Sequence, residues 1–367
     1  MSDRPFHIAL LPGDGIGPEV IEPSTKILDL AIDRAGARPL EYHSLEAGAA
    51  HYKRAGESLP TAAMDRARSC DAIFLGAMGL PSIRYPDGTE IAPQLELRET
   101  LDLYAGVRPI RSVPGLSRAL TDERSGDLDF VLVRESTEGL FKSRGNCEMV
   151  GDDVARDTLE ITRSACERLF HHAFRLARRR KAEGYPGHVT CVDKANVLGA
   201  FAFFRKVFDE VRSEYPDIEA SHGYIDAIGL MMVKRPWDFD VLVTENMFGD
   251  ILSDIGAGLI GGMGMAPSAD IGDEHAVFQP CHGSAPDIAG RGLANPVATI
   301  LSGAMMLEWL GARADYPEFI AAGKLVVRAV DEAFRTGTLI PGELGGDAGT
   351  NAIATAIGKS LASLDVS

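Results

Sequence analysis

Short apolar runs alternate with longer segments of helical period along most of this chain. Residues 7–11, 71–76, 129–134, 189–193 and 239–244 read as strands. A helix is entered at Pro18, where proline suits the first turn. Further helical patterns cover 97–104 and 159–177, and another begins at Met247. Two helices, 296–310 and 316–336, close the chain. Strand followed by helix, repeated, implies an α/β fold with helices flanking a sheet. At about 150 residues per domain, 367 residues make roughly two domains. No repeat or low-complexity linker separates them, so composition places no boundary.

Charge excludes several partners. The chain carries 37 Lys+Arg against 53 Asp+Glu, a net charge of −16. That balance disfavours nucleic acid and anionic membranes, which are polyanions. No run approaches the roughly 18 apolar residues of a membrane span. The five cysteines, Cys70, Cys147, Cys166, Cys191 and Cys281, are odd in number and lack CxxC spacing. A reducing cytoplasm is the expected compartment, and the apolar run at 7–11 is too short for a signal-peptide core. The basic stretch Arg178 to Lys181 reads as a solvated helix C-terminus favoured by the dipole.

Several constellations carry chemistry, each beside a plainer reading. Glycines at 13, 15 and 17 in LLPGDGIGPEV (10–20) make a strand-to-helix turn, but Pro18 breaks the GxGxxG dinucleotide pattern. Asp250 and Asp254 stand four apart on one helix face. They serve either the helix start or a hard divalent cation such as Mg²⁺ or Mn²⁺, which favours carboxylate oxygens. Arg134 ends an apolar strand, an unusual place for a cation, and ligands collect at strand ends in open α/β sheets. With Arg98 and Arg108 it could clamp a dicarboxylate, although nothing in the spacing makes the three converge. Lys194 also ends an apolar strand and is either an acid–base lysine or a snorkelling surface one. Asp226 is equally ambiguous. The polar, glycine-punctuated loop His282 to Gly290, followed by Asn295, could cradle a phosphate with its backbone, and an acid there could meet a ribose diol.

Taken in order, these segments resemble the β-decarboxylating dehydrogenases, the family of isopropylmalate, isocitrate, homoisocitrate and tartrate/D-malate dehydrogenases. The markers are LLPGDGIGPEV (10–20), LRETLDLYAGVRP (97–109), VRESTEGLF (133–141), VDKANVL (192–198), YIDA (224–227), NMFGDILSD (246–254) and HGSAPDIAGRGLANP (282–296). The resemblance implies an isopropylmalate dehydrogenase-like α/β fold of two domains, non-Rossmann, with the active site in the interdomain cleft. Residues 1–103 plus 261–367 would form a discontinuous NAD-binding domain, and 104–260 the smaller domain with the dimer interface. Arg98, Arg108 and Arg134 match the substrate-carboxylate clamps, with Gln94 and Leu95 in the specificity stretch. Asp226, Asp250 and Asp254 match the Mg²⁺ or Mn²⁺ ligands, and Lys194 the acid–base lysine. Lys194 and Asp226 would reach into the partner's site, making a homodimer with shared active sites. Asn196 matches a residue near the nicotinamide. His282, Gly283, Ser284, Ala285, Asp287 and Asn295 match the adenosine loop, with Asp287 of the NAD type. The implied reaction oxidises the C2 hydroxyl of an (R)-malate-type 2-hydroxy dicarboxylic acid, then releases the β-carboxylate as CO₂.

The chain departs from that pattern at Phe141, where the family usually has the tyrosine credited with protonating the enolate. Gln279 stands where many members have Glu. Ala92 lacks the serine of isocitrate enzymes, and Ile91, Gln94 and Leu95 only partly match isopropylmalate enzymes. A 3-alkylmalate such as 3-isopropylmalate is therefore the first expectation, tartrate or D-malate the second and homoisocitrate the third. A dehydrogenase that does not decarboxylate, and a catalytically silent regulatory subunit, stay open as alternatives.

Overall fold

Among the described residues, ten strands join in one sheet, built outward from two parallel halves. A computed structural model describes residues 4–366. The strands are β1 (Phe6–Gly13), β2 (Leu40–Ser44), β3 (Ala72–Ala77), β4 (Ala105–Arg111), β5 (Asp129–Glu135), β6 (Glu148–Val150), β7 (Val154–Arg156), β8 (His188–Asp193), β9 (Glu219–Tyr224), β10 (Val241–Thr244), β11 (Pro267–Ile271) and β12 (Ala276–Pro280). The sheet order is β2-β1-β3-β12-β11-β4-β5-β10-β8-β9, and β6 and β7 form a separate hairpin. β2, β1, β3 and β12 are mutually parallel, as are β5, β10, β8 and β9. Between these flanks, β11 and β4 pair antiparallel with both neighbours and with each other. The expected α/β fold is present. One flank and β11 come from residues before 104 and after 260, and β4 with the other flank comes from between.

Eleven helices accompany them among the described residues: α1 (Gly17–Arg34), α2 (Ala49–Ala55), α3 (Thr61–Ser69), α4 (Pro93–Thr100), α5 (Arg163–Ala182), α6 (Gly199–Arg212), α7 (Ile225–Lys234), α8 (Asn246–Leu259), α9 (Val297–Ala314), α10 (Pro317–Phe334) and α11 (Thr350–Ser363). The central strands β3, β5, β8 and β10 are buried almost throughout, as in a sheet covered on both faces, whereas the edge strands β2 and β9 are partly exposed. Phe130, Val131, Leu132 and Val133 of β5 are all at most 5% exposed. Each such side chain contributes about 1.5–3 kcal/mol on burial.

Four local expectations are corrected. The helix read at 97–104 is α4, already begun at Pro93 and ended at Thr100, since Pro93 is a favourable first-turn residue. The helix read at 159–177 starts at Arg163, because the Thr162 side chain accepts the Ala165 N–H as N-cap, and it runs on to Ala182. A third terminal helix, α11, follows the two expected ones and packs against α1 and α10. The basic stretch is not wholly solvated. Arg180 is buried, with Nε 2.6 Å from Asp240 and an Nη 3.0 Å from Asp129, so it ties α5 to the sheet.

Candidate active site

A cavity of about 250 Å³ lies across the middle of the sheet, where its direction reverses. α4, β4, β5 and α8 bring Arg98, Arg108, Arg134, Asp250 and Asp254 to its wall, beside Gln94, Leu95 and Phe141. The convergence that spacing left open is therefore present. Arg134 closes β5 and is held by the Asn246 side-chain oxygen, 2.9 Å from Nε and 2.7 Å from an Nη. Its guanidinium also pairs with Asp250. Gly249 lets this happen, because a Cβ there would stand 2.5 Å from the Arg134 stem. Burial, and then the charge of Arg98, pulls Arg134 down to about 10, which leaves it cationic at neutral pH. Part of that crowded positive charge is met within the fold, by Asp250 and Asp270, and the guanidinium groups on the cavity wall can take an anionic ligand.

One residue that the sequence reading missed organises two of these arginines. Asp270 on β11 is fully buried and accepts from Arg98 Nε at 2.9 Å and from an Arg108 Nη at 3.1 Å. Gln279 Nε2 donates to the same carboxylate at 2.7 Å. Burial opposes its charge, yet Arg98 and Arg108 hold Asp270 down at about 2. The signal was an acid inside the apolar strand PSADI, which only a cationic partner could accommodate.

The two carboxylates of α8 are free of capping duty. Glu245 takes that role, accepting the N–H groups of Met247 and Phe248 at 3.1 and 3.3 Å. Asp250 and Asp254 thus face the cavity as a like-charged pair. Burial and the neighbouring Asp250 charge push Asp254 up. Two hard oxygen donors whose repulsion a cation would relieve fit Mg²⁺ or Mn²⁺.

The third acid lies elsewhere. Lys194, just after β8, and Asp226, in the first turn of α7, pair with each other at 2.8 Å. The ammonium of Lys194 holds the Asp226 carboxyl below its usual range. Neither lines the arginine cavity of its own chain. Asn196 is exposed in the turn that follows, beside exposed Val197 and Leu198. Exposed Leu230 and Val233 on α7 and Ile251 on α8 add further apolar surface.

The 282–296 loop leans on the glycine turn after β1. Ile16 N–H donates to the Ser284 carbonyl at 2.8 Å, and a Cβ on Gly15, at φ +57°, would lie 2.0 Å from that oxygen. Ser284 Oγ donates to the Gly79 carbonyl. His282 and Gly283 reach the cavity wall, where His282 Nε2 is buried without a partner. Ala285 adopts a left-handed backbone at φ +36°. Asp287 is exposed. Asn295 is committed within the fold, since its Nδ2 donates to Glu343 at 2.6 Å and its Oδ1 accepts Val297 N–H at 3.2 Å.

Known proteins share this architecture. The family model for isocitrate/isopropylmalate dehydrogenase matches residues 7–358. A 3-isopropylmalate/3-methylmalate dehydrogenase of Methanocaldococcus jannaschii is 44% identical, covering 96% of this chain and 98% of that one. An isocitrate/homoisocitrate dehydrogenase of Thermus thermophilus is 41% identical over 98% and 99% of the two chains. The crystal structure of isocitrate dehydrogenase from Methylococcus capsulatus superposes with a TM-score of 0.84 at 38% identity, covering 97% of this chain and 99% of that one.

Proposed function

The chain belongs to the isocitrate/isopropylmalate dehydrogenase family of decarboxylating oxidoreductases, and from that premise we propose that it oxidises and decarboxylates an (R)-malate-type 2-hydroxy dicarboxylic acid. The first substrate we propose is a 3-alkylmalate such as 3-isopropylmalate, with NAD and Mg²⁺ or Mn²⁺. The observation that carries this reading is the convergence of Arg98, Arg108 and Arg134 on one cavity that Asp250 and Asp254 also line. The three guanidinium groups bind and orient the two carboxylates of the substrate. Asp250 and Asp254 would hold the divalent cation, with Asp226 of the partner subunit as a third ligand. When bound, that cation supplies Lewis-acid polarisation of the C2 oxygen. Lys194, also from the partner, would take the proton of the C2 hydroxyl, and a bound nicotinamide would supply the hydride acceptor. His282 to Ala285 and Asp287 would hold the adenosine portion and Asn196 would serve the nicotinamide, while Asn295, its amide engaged by Glu343 and Val297, would brace the loop rather than bind through its side chain.

The shared site requires a homodimer. Its interface fits the exposed apolar side chains Val197, Leu198, Leu230, Val233 and Ile251, the first four of which follow Lys194 or Asp226 within seven residues along the chain. Residues 104–260 would then be the dimerising domain, and 1–103 plus 261–367 the cofactor-binding one. Among the described residues no helix is long and apolar enough to cross a membrane, and a cytoplasmic setting accords with five free cysteines.

A tartrate-type substrate is the second reading. Gln94 Oε1 is a buried acceptor without a partner on the cavity wall, and a hydroxyl at substrate C3 would satisfy it. NAD⁺ reduction measured with Mn²⁺ across 3-isopropylmalate, tartrate, D-malate and homoisocitrate separates the two. Turnover on 3-isopropylmalate above the other three is the expected result, and no turnover on any of them refutes the proposal.

Phe141 lies with its ring 5.1 Å from the Arg134 guanidinium and brings no hydroxyl to the cavity. Proton delivery to the enolate carbon then falls to another acid or to water. Phe141→Tyr is expected to speed CO₂ release without a comparable change in hydride transfer. CO₂ and NADH followed together check this, and an unchanged CO₂ rate removes the role assigned to the position.

A further inference from the structure

β1 and β2 pair in parallel, with His7 opposite Glu41 and Ala9 opposite His43. Residues two apart on a strand share a face, and so do directly paired ones. His7, Glu41 and His43 therefore project together, toward α3 at the outer end of the sheet. His7 Nδ1 lies 2.9 Å from His43 Nε2 and 3.3 Å from Glu41 Oε2. One ligand atom from each of the three falls within 4.8 Å of the others. Around a tetrahedral Zn²⁺ with bonds near 2.0–2.1 Å, ligand atoms sit about 3.4 Å apart. The cluster is held close to that spacing by its own backbone. His7 N–H donates to Asp71 at 2.8 Å, and Arg4 engages the same carboxylate.

We infer that His7, Glu41 and His43 form a metal site distinct from the carboxylates of the cleft, suited to Zn²⁺ or another borderline divalent ion. Two imidazoles and one carboxylate select such ions over Mg²⁺, and water completes the coordination. One group opposes the ion. An Nη of Arg66, on α3, stands 3.0 and 2.9 Å from the two ring nitrogens of His43 and must move aside. The site is remote from the proposed chemistry, because His7 and Gly13 lie at opposite ends of β1, roughly 20 Å apart. Its effect is structural. An ion bound there joins the edge strand β2 to β1, and it stabilises the folded state because the unfolded chain lacks the site.

The tag-free full chain, stripped with chelator, is titrated with ZnCl₂ by calorimetry and with CoCl₂ by visible absorption. The double variant Asp250→Asn/Asp254→Asn is expected to take up one Zn²⁺ per chain still. In that background His43→Ala, and separately the exposed change Glu41→Gln, weaken binding roughly tenfold or more. Arg66→Ala tightens it by removing the opposing charge. Glu41→Gln keeps the test decisive if His43→Ala fails to fold. Zn²⁺ uptake that is absent from the double variant, or that neither His43→Ala nor Glu41→Gln weakens, overturns the assignment.

Discussion

Lys194→Met is expected to lower kcat by roughly 10²–10⁴-fold, the usual contribution of a positioned acid–base group, while leaving the fold intact. Lys194 sits at the surface end of β8 with Asp226 as its partner at 2.8 Å, so its loss empties no core. Asp254→Asn is expected to be comparably inactive for a different reason, because it removes an oxygen donor from the cavity of its own chain. The two variants damage different halves of the proposed shared site. Co-refolding them gives hybrid dimers, in which one of two sites draws an intact Lys194 from one subunit and an intact Asp254 from the other. Random pairing then restores about a quarter of wild-type activity, since the hybrid is half of the population with half of its sites intact. A mixture no more active than its parents refutes the shared site. It would mean that Lys194 acts elsewhere or that the chain does not pair.

Asp270→Asn carries the second large effect. The wild-type carboxylate is fully buried between Arg98 and Arg108, and removing one partner of such a network leaves uncompensated charge in the interior. A loss of about 3–5 kcal/mol of stability is expected. KM should rise as well, because the same two side chains bind substrate and lose the anchor that aims them. Asp270 is held down at about 2 in the folded state, below an unfolded value near 4. A depressed carboxyl stabilises the fold above the unfolded value, and that contribution disappears as pH falls from about 4 to about 2. Urea midpoints across that interval should fall more steeply for the wild type than for Asp270→Asn. Gln279 offers a rescue, since its Nε2 lies 2.7 Å from the Asp270 carboxylate. Adding Gln279→Glu to Asp270→Asn returns a negative charge to the same polar centre and should recover part of both losses. Equal urea midpoints for the single variant and the wild type at neutral pH would show that Asp270 is not the anchor argued here.

Much of this arrangement was legible in the chain. Arg134 stood out because a cation ending the run Phe130 to Val133 has no purely structural reason to be there. Asp250 and Asp254 stood out because helical period places residues four apart on one face. Arg98 and Arg108 gave no such signal. One lies on the short helix α4 and the other in the middle of β4, and only the antiparallel insertion of β4 and β11 between two parallel flanks aligns them with Arg134. Asp270 arrives on β11, more than 150 residues further along the chain, and spacing does not encode a contact of that range. The reading of Arg178 to Lys181 as solvated failed at Arg180 for the same reason, since Asp129 and Asp240 lie on strands remote in sequence.

The sequence by itself therefore determined the α/β class, the strand and helix periods, the residue types available for chemistry and, through its ordered motifs, the family. The tertiary structure decided which of those residues meet. It placed three arginines and two aspartates around one cavity, set Lys194 and Asp226 apart from them as their own pair, and put a buried carboxylate under two of the arginines. The physical reason is that period and composition are local properties of the chain. The meeting of charges depends on strand order and direction, which are settled by burying whole faces of the sheet at once.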